Sequence, residues 1–215
     1  MGKVTAHMSM SLDGFIAGPI DAVENPLGDG GDRVHEWAFE LENWRQRQGL
    51  VGGEINRDAE ILDDTMSHTG AVVMGRRMFS NGAGPWGETP FQGHWGDDPP
   101  FRVPVFVLTH HARERLVKDG GTTFTFVTDG IEAALTQAQA VAGDRNVAIA
   151  GGASVVQQGI SARLLDKLLI HLSPVLLGDG IRLLDHLGTE RIELDRTLVV
   201  DSPKVTHLRF RFRNS

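Results

Sequence analysis

The sequence contains no cysteine. That excludes disulfides, thiolate nucleophiles and Cys-ligated zinc. No apolar run approaches the ~18 residues that a membrane helix needs. The opening residues, Met1-Gly2-Lys3-Val4-Thr5-Ala6-His7, lack the long apolar stretch and small-residue cleavage site of a secretory signal. Ala6 also breaks the myristoylation pattern behind Gly2. Basic residues are in the minority: 21 Lys and Arg stand against 28 Asp and Glu, a formal net charge of −7. Such a surface opposes indiscriminate binding to nucleic acid or anionic membrane. It leaves room for a local arginine cluster that holds a small anion. The expectation is a soluble, cytoplasmic protein with no nucleic-acid or membrane partner.

Several catalytic signatures are missing too. There is no P-loop, no six-residue Gly-x-Gly-x-x-Gly fingerprint and no Gly-x-Ser-x-Gly elbow. The nine histidines contain no His-x-x-His or His-Glu-x-x-His spacing, and adjacent His110 and His111 point apart in an extended loop. No metal site is expected.

What is present is an alternating pattern. At 215 residues the chain can bury a full core as one domain, expected over 1–215. Short apolar runs at 4–8, 71–74, 105–108, 124–127 and 147–150 mostly do not alternate, so both faces of each strand should be covered, as in a parallel sheet. Between them lie helical patterns. The clearest is 131–142, with Ile131, Ala134, Leu135, Ala138, Val141 and Ala142 on one face. Asp129 and Glu132 have the spacing of a capping box, and Gly143 follows the end. Further helices are expected over 32–47, over 56–66 and shortly after Gly152. Strand and helix in alternation predict an α/β sheet with right-handed crossovers.

The C-terminal end differs. Residues 167–172 and 175–177 are apolar around Pro174. In 207–213, Leu208, Phe210 and Phe212 alternate with Arg209, Arg211 and Arg213. That period of two suits an antiparallel strand at the sheet edge, its arginines guarding against aggregation or forming a binding stripe. Two long loops, 18–31 and 82–104, have the length of segments that cover a site. The second contains Pro85, Trp86, Pro90, Trp95, Pro99 and Pro100. Trp37, Trp44, Trp86 and Trp95 read as core or loop anchors, with Trp86 and Trp95 best placed to touch a planar substrate.

Four turns could carry chemistry. Ala150-Gly151-Gly152-Ala153-Ser154 follows an apolar strand and opens a short helix, where free N–H groups favour a phosphate. Gly75-Arg76-Arg77 also follows a strand and opens a helix; two arginines at a helix N-terminus oppose its dipole unless an anion sits among them. Thr109-His110 ends another strand, and open α/β sheets bind ligands along that edge. Ser11-Leu12-Asp13-Gly14-Phe15-Ile16-Ala17 ends the first strand. There Asp13 caps a turn or faces the site as a polar group.

The run from Ser11 to Ala17 resembles the N-terminal signature of the dihydrofolate-reductase-like superfamily. It is most similar to the reductase domain of the riboflavin-biosynthesis deaminase–reductase and its stand-alone relatives. The Gly75, Thr109 and Gly151 turns follow in that family's order, so the resemblance covers nearly the whole chain. It implies a three-layer α/β sandwich with a mostly parallel central sheet and an antiparallel C-terminal edge strand. It implies an NADPH site: Gly75, Arg76 and Arg77 at the phosphates, Thr109 and His110 near the adenosine 2′-phosphate, Gly151, Gly152, Ala153 and Ser154 along the pyrophosphate, and Ile16 and Ala17 beside the nicotinamide. It also implies a homodimer and a small-molecule substrate.

Two departures bear on that substrate. Dihydrofolate reductases carry an acid three and four residues before Trp and Phe, whereas this helix reads His35-Glu36-Trp37-Ala38-Phe39. The riboflavin-pathway reductases place an acid immediately before the glycine pair, where this chain has Ala150. The expected activity is NADPH-dependent hydride transfer to a C=N or C=O group of a small heterocycle. Asp13 is the first candidate proton donor, followed by Glu36, His35 and water. A nucleotide-binding sensor or carrier without hydride chemistry, and a flavin-binding relative, are the alternatives.

Overall fold

The computed structural model describes residues 2–80, 84–87 and 91–213. In chain order the elements are β1 (Val4–Ser11), β2 (Phe15–Ala17), α1 (Glu36–Phe39), α2 (Glu42–Arg47), α3 (Arg57–Ser67), β3 (Thr69–Gly75), α4 (Arg76–Ser80), β4 (Pro104–Leu108), β5 (Leu116–Val117), β6 (Thr123–Val127), α5 (Gly130–Ala142), β7 (Asn146–Gly151), α6 (Ala153–Ser161), β8 (Lys167–Ser173), β9 (Ile181–Arg182), β10 (Leu194–Ser202) and β11 (Val205–Phe212). Among the described residues nine strands form one sheet, in the order β10-β11-β8-β1-β7-β3-β4-β6-β5. The six from β8 to β6 run parallel.

Every apolar run expected as a parallel strand is one. Their continuous hydrophobicity follows from burial on both faces. One face packs Ala71, Val73, Val147 and Ile149 beneath α5 and α6. The other face splits its core in two. Val72, Met74, Val105 and Val107 pack with Phe79 and Phe124. Trp37, Ala38, Leu41, Ala59 and Val205 form a separate cluster under α1 to α3. Three layers result, as the resemblance implies.

The antiparallel end is wider than one strand. β11 pairs antiparallel with β8, and β10 pairs antiparallel with β11, so β10 and not 207–213 is the edge. The strand β10 alternates half-buried and exposed residues, which leaves little apolar signal. The arginines of this stretch face carboxylates: Arg211 on β11 and Arg213 just after it meet Asp195 on β10, and Arg209 meets Asp64. The apolar stretch 175–177 is loop. Gly82 and Pro90 lie outside the described residues.

The helix expected over 32–47 is three pieces: a 3-10 turn (Gly31–Val34), α1 and α2. Leu41 breaks it, adopting φ −74 and ψ 138 with its side chain buried. The neighbouring backbone is tied instead to 54, through Glu42 N–H to Glu54 O and Glu54 N–H to Glu40 O. Gly53 permits this approach, because a Cβ there would lie 2.6 Å from Glu42 N. The break lets Trp37 and Leu41 both point into the core.

Candidate functional site

Sheet register aligns the turns that the sequence singles out. Gly75 pairs with Leu108, just before Thr109, and Met74 pairs with Gly151. The Gly75, Thr109 and Gly151 turns therefore lie along one carboxyl edge, where open α/β sheets take ligands. Gly75 and Gly151 are needed for close packing. A Cβ at Gly75 would sit 3.1 Å from Val155 Cγ2 on α6 and 3.5 Å from Gly152 N, and one at Gly151 would sit 3.0 Å from Met78 Sδ. The Gly151–Gly152 peptide is cis, and Gly152 starts α6 with no side chain capping its free N–H groups.

The sheet also opens here. β1 stays paired with β8 as far as Ser11 but leaves β7 after Ala6. A crevice forms between the end of β1 and the Gly151 turn. Ile16 and Ala17, both buried, sit on β2 beside β1.

Arg76 stands out electrostatically. Its guanidinium lies 3.4 Å from the centroid of the Trp86 ring, and Arg113 lies over the same ring at 4.7 Å. Among the described residues, the shielded Nε and Nη1 of Arg76 have no hydrogen-bond partner. Burial, and then the charge of Arg113, push the Arg76 pKa down. Two cations lie over one aromatic ring, and Arg76 has donors to spare, an arrangement that an anion would complete. Arg77, in contrast, is exposed and paired with Asp21 at 2.8 Å. Trp86 links the turns, since its indole N–H donates to His111 O. Thr109 is buried and its hydroxyl accepts the His111 N–H, which shapes the turn; His110 is exposed.

Asp13 is fully engaged. Oδ1 accepts from the Ser11 hydroxyl and the Leu177 N–H, and Oδ2 accepts from the Gly178 N–H at 2.7 Å. Those hydrogen bonds, Ser11's foremost, hold its pKa down to about 2. An ionised carboxylate has no proton to give near neutrality. Asp13 instead anchors the rim of a depression of about 500 Å³ lined by Phe15, Ala153, Ser154, Gly178 and Arg182. Arg182 closes the rim by donating to Asp13 O and stacking on Phe15. The other acid considered, Glu36, is exposed and paired with Arg33.

A second cavity, about 280 Å³, lies between the sheet and α1 to α3. Trp37, Trp44, Trp95, Met66, Met78 and Phe101 supply apolar walls, and His7, Ser9, His35 and His171 supply polar ones. Ala150 and Met78 bring it up to the Gly151 turn. Burial pushes His7 and His35 down to about 4, so both are neutral at pH 7. The Trp37 indole donates to Ser9 Oγ at 3.1 Å, so this tryptophan is both core and cavity wall.

Arg113, Arg182 and His171 had no motif to announce them. Arg113 sits in a loop, Arg182 in a two-residue strand, and His171 inside an apolar run that reads as core.

A family model described as the RibD C-terminal domain matches residues 2–208. Similar solved structures include a riboflavin biosynthesis protein from Shewanella sp. PV-4, with a TM-score of 0.64 and 18% identity over 100% of both chains. Another is the diaminohydroxyphosphoribosylaminopyrimidine deaminase/5-amino-6-(5-phosphoribosylamino)uracil reductase of Thermotoga maritima, with a TM-score of 0.59 and 12% identity. This chain is covered to 99% there but spans only 57% of that protein's length. The riboflavin biosynthesis reductase Rib7 of Saccharomyces cerevisiae gives a TM-score of 0.54 and 14% identity over 99% of this chain and 89% of that one. At these identities the likeness is one of fold. No curated protein sequence matches the chain.

Proposed function

Because the chain belongs to the RibD C-terminal domain family, we propose that it is a reductase of the riboflavin-pathway kind, using NADPH to reduce a C=N or C=O group of a small heterocycle. The observation that carries this reading is Arg76, whose shielded donors lack a partner while it shares the Trp86 ring with Arg113. Leaving such a group unpaired is costly, and a nucleotide phosphate would complete it. Gly75 and Arg77 would lie along the same phosphates, with Thr109 and His110 toward the adenosine end. Gly151, Gly152, Ala153 and Ser154 would take the pyrophosphate at the start of α6. Ile16 and Ala17 would wall the nicotinamide at the crevice.

When bound, NADPH supplies the hydride from its nicotinamide ring. The cavity beside Ala150 and Met78 receives the acceptor, and its apolar walls hold a flat ring in place. Reduction also consumes a proton. Asp13 is ionised, Glu36 is tied to Arg33 and His35 is a neutral imidazole. Solvent water is then the proton source.

Fluorescence titration with NADPH and NADH tests the reading. Arg76→Ala should raise the NADPH Kd about tenfold or more, the loss of one charge-assisted hydrogen bond, and affect NADH less. Arg77→Ala should do less than Arg76→Ala, because Asp21 already holds that side chain. Equal effects on both nucleotides would place Arg76 away from the extra 2′-phosphate of NADPH, and wild-type protein that binds neither would sink the reading.

A further inference from the structure

The 280 Å³ cavity has a polar wall built with unusual completeness. On α3, Asp58 is buried in the first turn, and its Oδ1 accepts from the Ser202 hydroxyl and from His207 Nε2 at 3.0 Å. His207 is fully buried, and its Nδ1 lies 2.6 Å from Nδ1 of His171. His171 lines the cavity and carries the Trp37 ring at 4.6 Å. Among the described residues, no group bonds His171 Nε2.

Hydrogen-bond chemistry fixes the protons along this chain. As a carboxylate, Asp58 can only accept, so His207 carries its proton on Nε2. His207 Nδ1 is then a lone pair. Two ring nitrogens at 2.6 Å cannot both be bare or both protonated, so His171 donates from Nδ1. Burial, with the neighbouring His207 for His171, pushes both imidazoles below their ordinary value, so neither takes a second proton at pH 7. The proton missing from His171 is therefore the one on Nε2.

We propose that His171 presents a bare Nε2 to the cavity as a hydrogen-bond acceptor, its tautomer set by Asp58 through His207, and that the cavity selects planar ligands carrying an N–H or O–H donor. The ligand class rests on the reading of this cavity as the substrate site. The flat walls of Trp37 and Trp95 suit an aromatic or conjugated ring. His7 lines the same cavity, with its Nε2 held by the Thr5 hydroxyl. A site built to accept a hydrogen bond discriminates strongly against a ligand that cannot donate one. His207 and Asp58 are positioning residues in this scheme, touching no ligand themselves.

Two-bond ¹H–¹⁵N spectra of histidine-labelled wild-type protein test the tautomers directly. The expected result is a protonated Nδ1 on His171 and a protonated Nε2 on His207. A proton on His171 Nε2 would overturn the proposal without any variant being made. Asp58→Asn, which keeps the shape, should leave His207 free to exchange tautomers and shift the His171 signals; an unmoved His171 would remove Asp58 from the scheme. Phthalimide and N-methylphthalimide, titrated against the His171 Nε2 signal, probe the ligand class. The N–H imide should bind about tenfold or more tightly than its methylated form. Equal affinity, or no binding by either, would overturn the donor requirement. NADPH titration of the same samples separates the two readings: lost nucleotide binding with intact tautomers sinks the reductase reading alone, and the reverse sinks this one.

Discussion

Asp13 illustrates how one carboxylate can be read two ways until its partners are seen. Both of its oxygens accept hydrogen bonds, from Ser11, Leu177 and Gly178, so its charge holds a loop and not a reacting proton. Asp13→Asn is therefore expected to lower the melting temperature, because Oδ2 would become an amide nitrogen facing the Gly178 N–H. The pH profile of turnover between about pH 5 and 8, where a catalytic acid would titrate, should keep its shape. A variant that loses one limb of that profile would restore Asp13 as the donor. The same residue-level logic separates Arg76 from Arg77. The sequence offers two adjacent arginines at a strand end, and only their partners distinguish an unpaired, ring-stacked cation from one already neutralised by Asp21.

Elements begin and end where caps and close approaches allow. Asn56 caps α3 by accepting the N–H groups of Asp58 and Ala59, at 3.0 and 3.1 Å. Asn56→Ala should destabilise the protein by about 1 kcal/mol, read as a shift in urea midpoint. Asp129 has the sequence spacing of a cap, yet makes no capping hydrogen bond to α5. Asp129→Ala should change stability by less than ~0.5 kcal/mol; a cost equal to that of Asn56→Ala would show a cap that forms in solution. The parallel strands were legible as short unbroken apolar runs, and α5 because its apolar residues recur with the helical period. The pieces of 31–47 were not, since Trp37, Leu41 and Trp44 fit one helical pattern whether or not Leu41 breaks it. β10 escaped notice because an edge strand half open to solvent needs few apolar residues. The Gly75, Thr109 and Gly151 turns were legible as candidates because each directly follows an apolar strand. The Asp58–His207–His171 chain was not, because its members come from α3, β11 and β8, and only packing joins them.

The whole molecule carries an acid sensitivity in its core. Burial holds His7 and His35 down to about 4 and pushes His171 and His207 down as well. Unfolding returns each to its ordinary value near 6.5, so between about pH 6.5 and 4 the unfolded chain binds protons that the native state refuses. Stability should fall as pH falls through that window, by up to ~1.4 kcal/mol per pH unit for each histidine. Asp13 works in a separate, lower window: its depressed pKa of about 2 stabilises the fold above its ordinary 3.8 and is lost below it. Urea midpoints at pH 7.5, 6 and 5 would check this, and a flat series would mean that the histidines are open to protons. The parting of β1 from β7 has a further consequence, in the rate at which backbone amides trade hydrogen for deuterium. Lys3 O accepts from Val147 on β7, and Val4 O accepts from Asp166 just before β8. Odd-numbered residues of β1 thus turn their backbone toward β7 and even-numbered ones toward β8. Beyond Ala6 the β7 side is vacant while the β8 side stays paired to Ser11. Along this one buried strand, the Ser9 amide should exchange fast and its neighbours Met8 and Met10 slowly. A ligand seated in the crevice should erase the difference by slowing Ser9 alone.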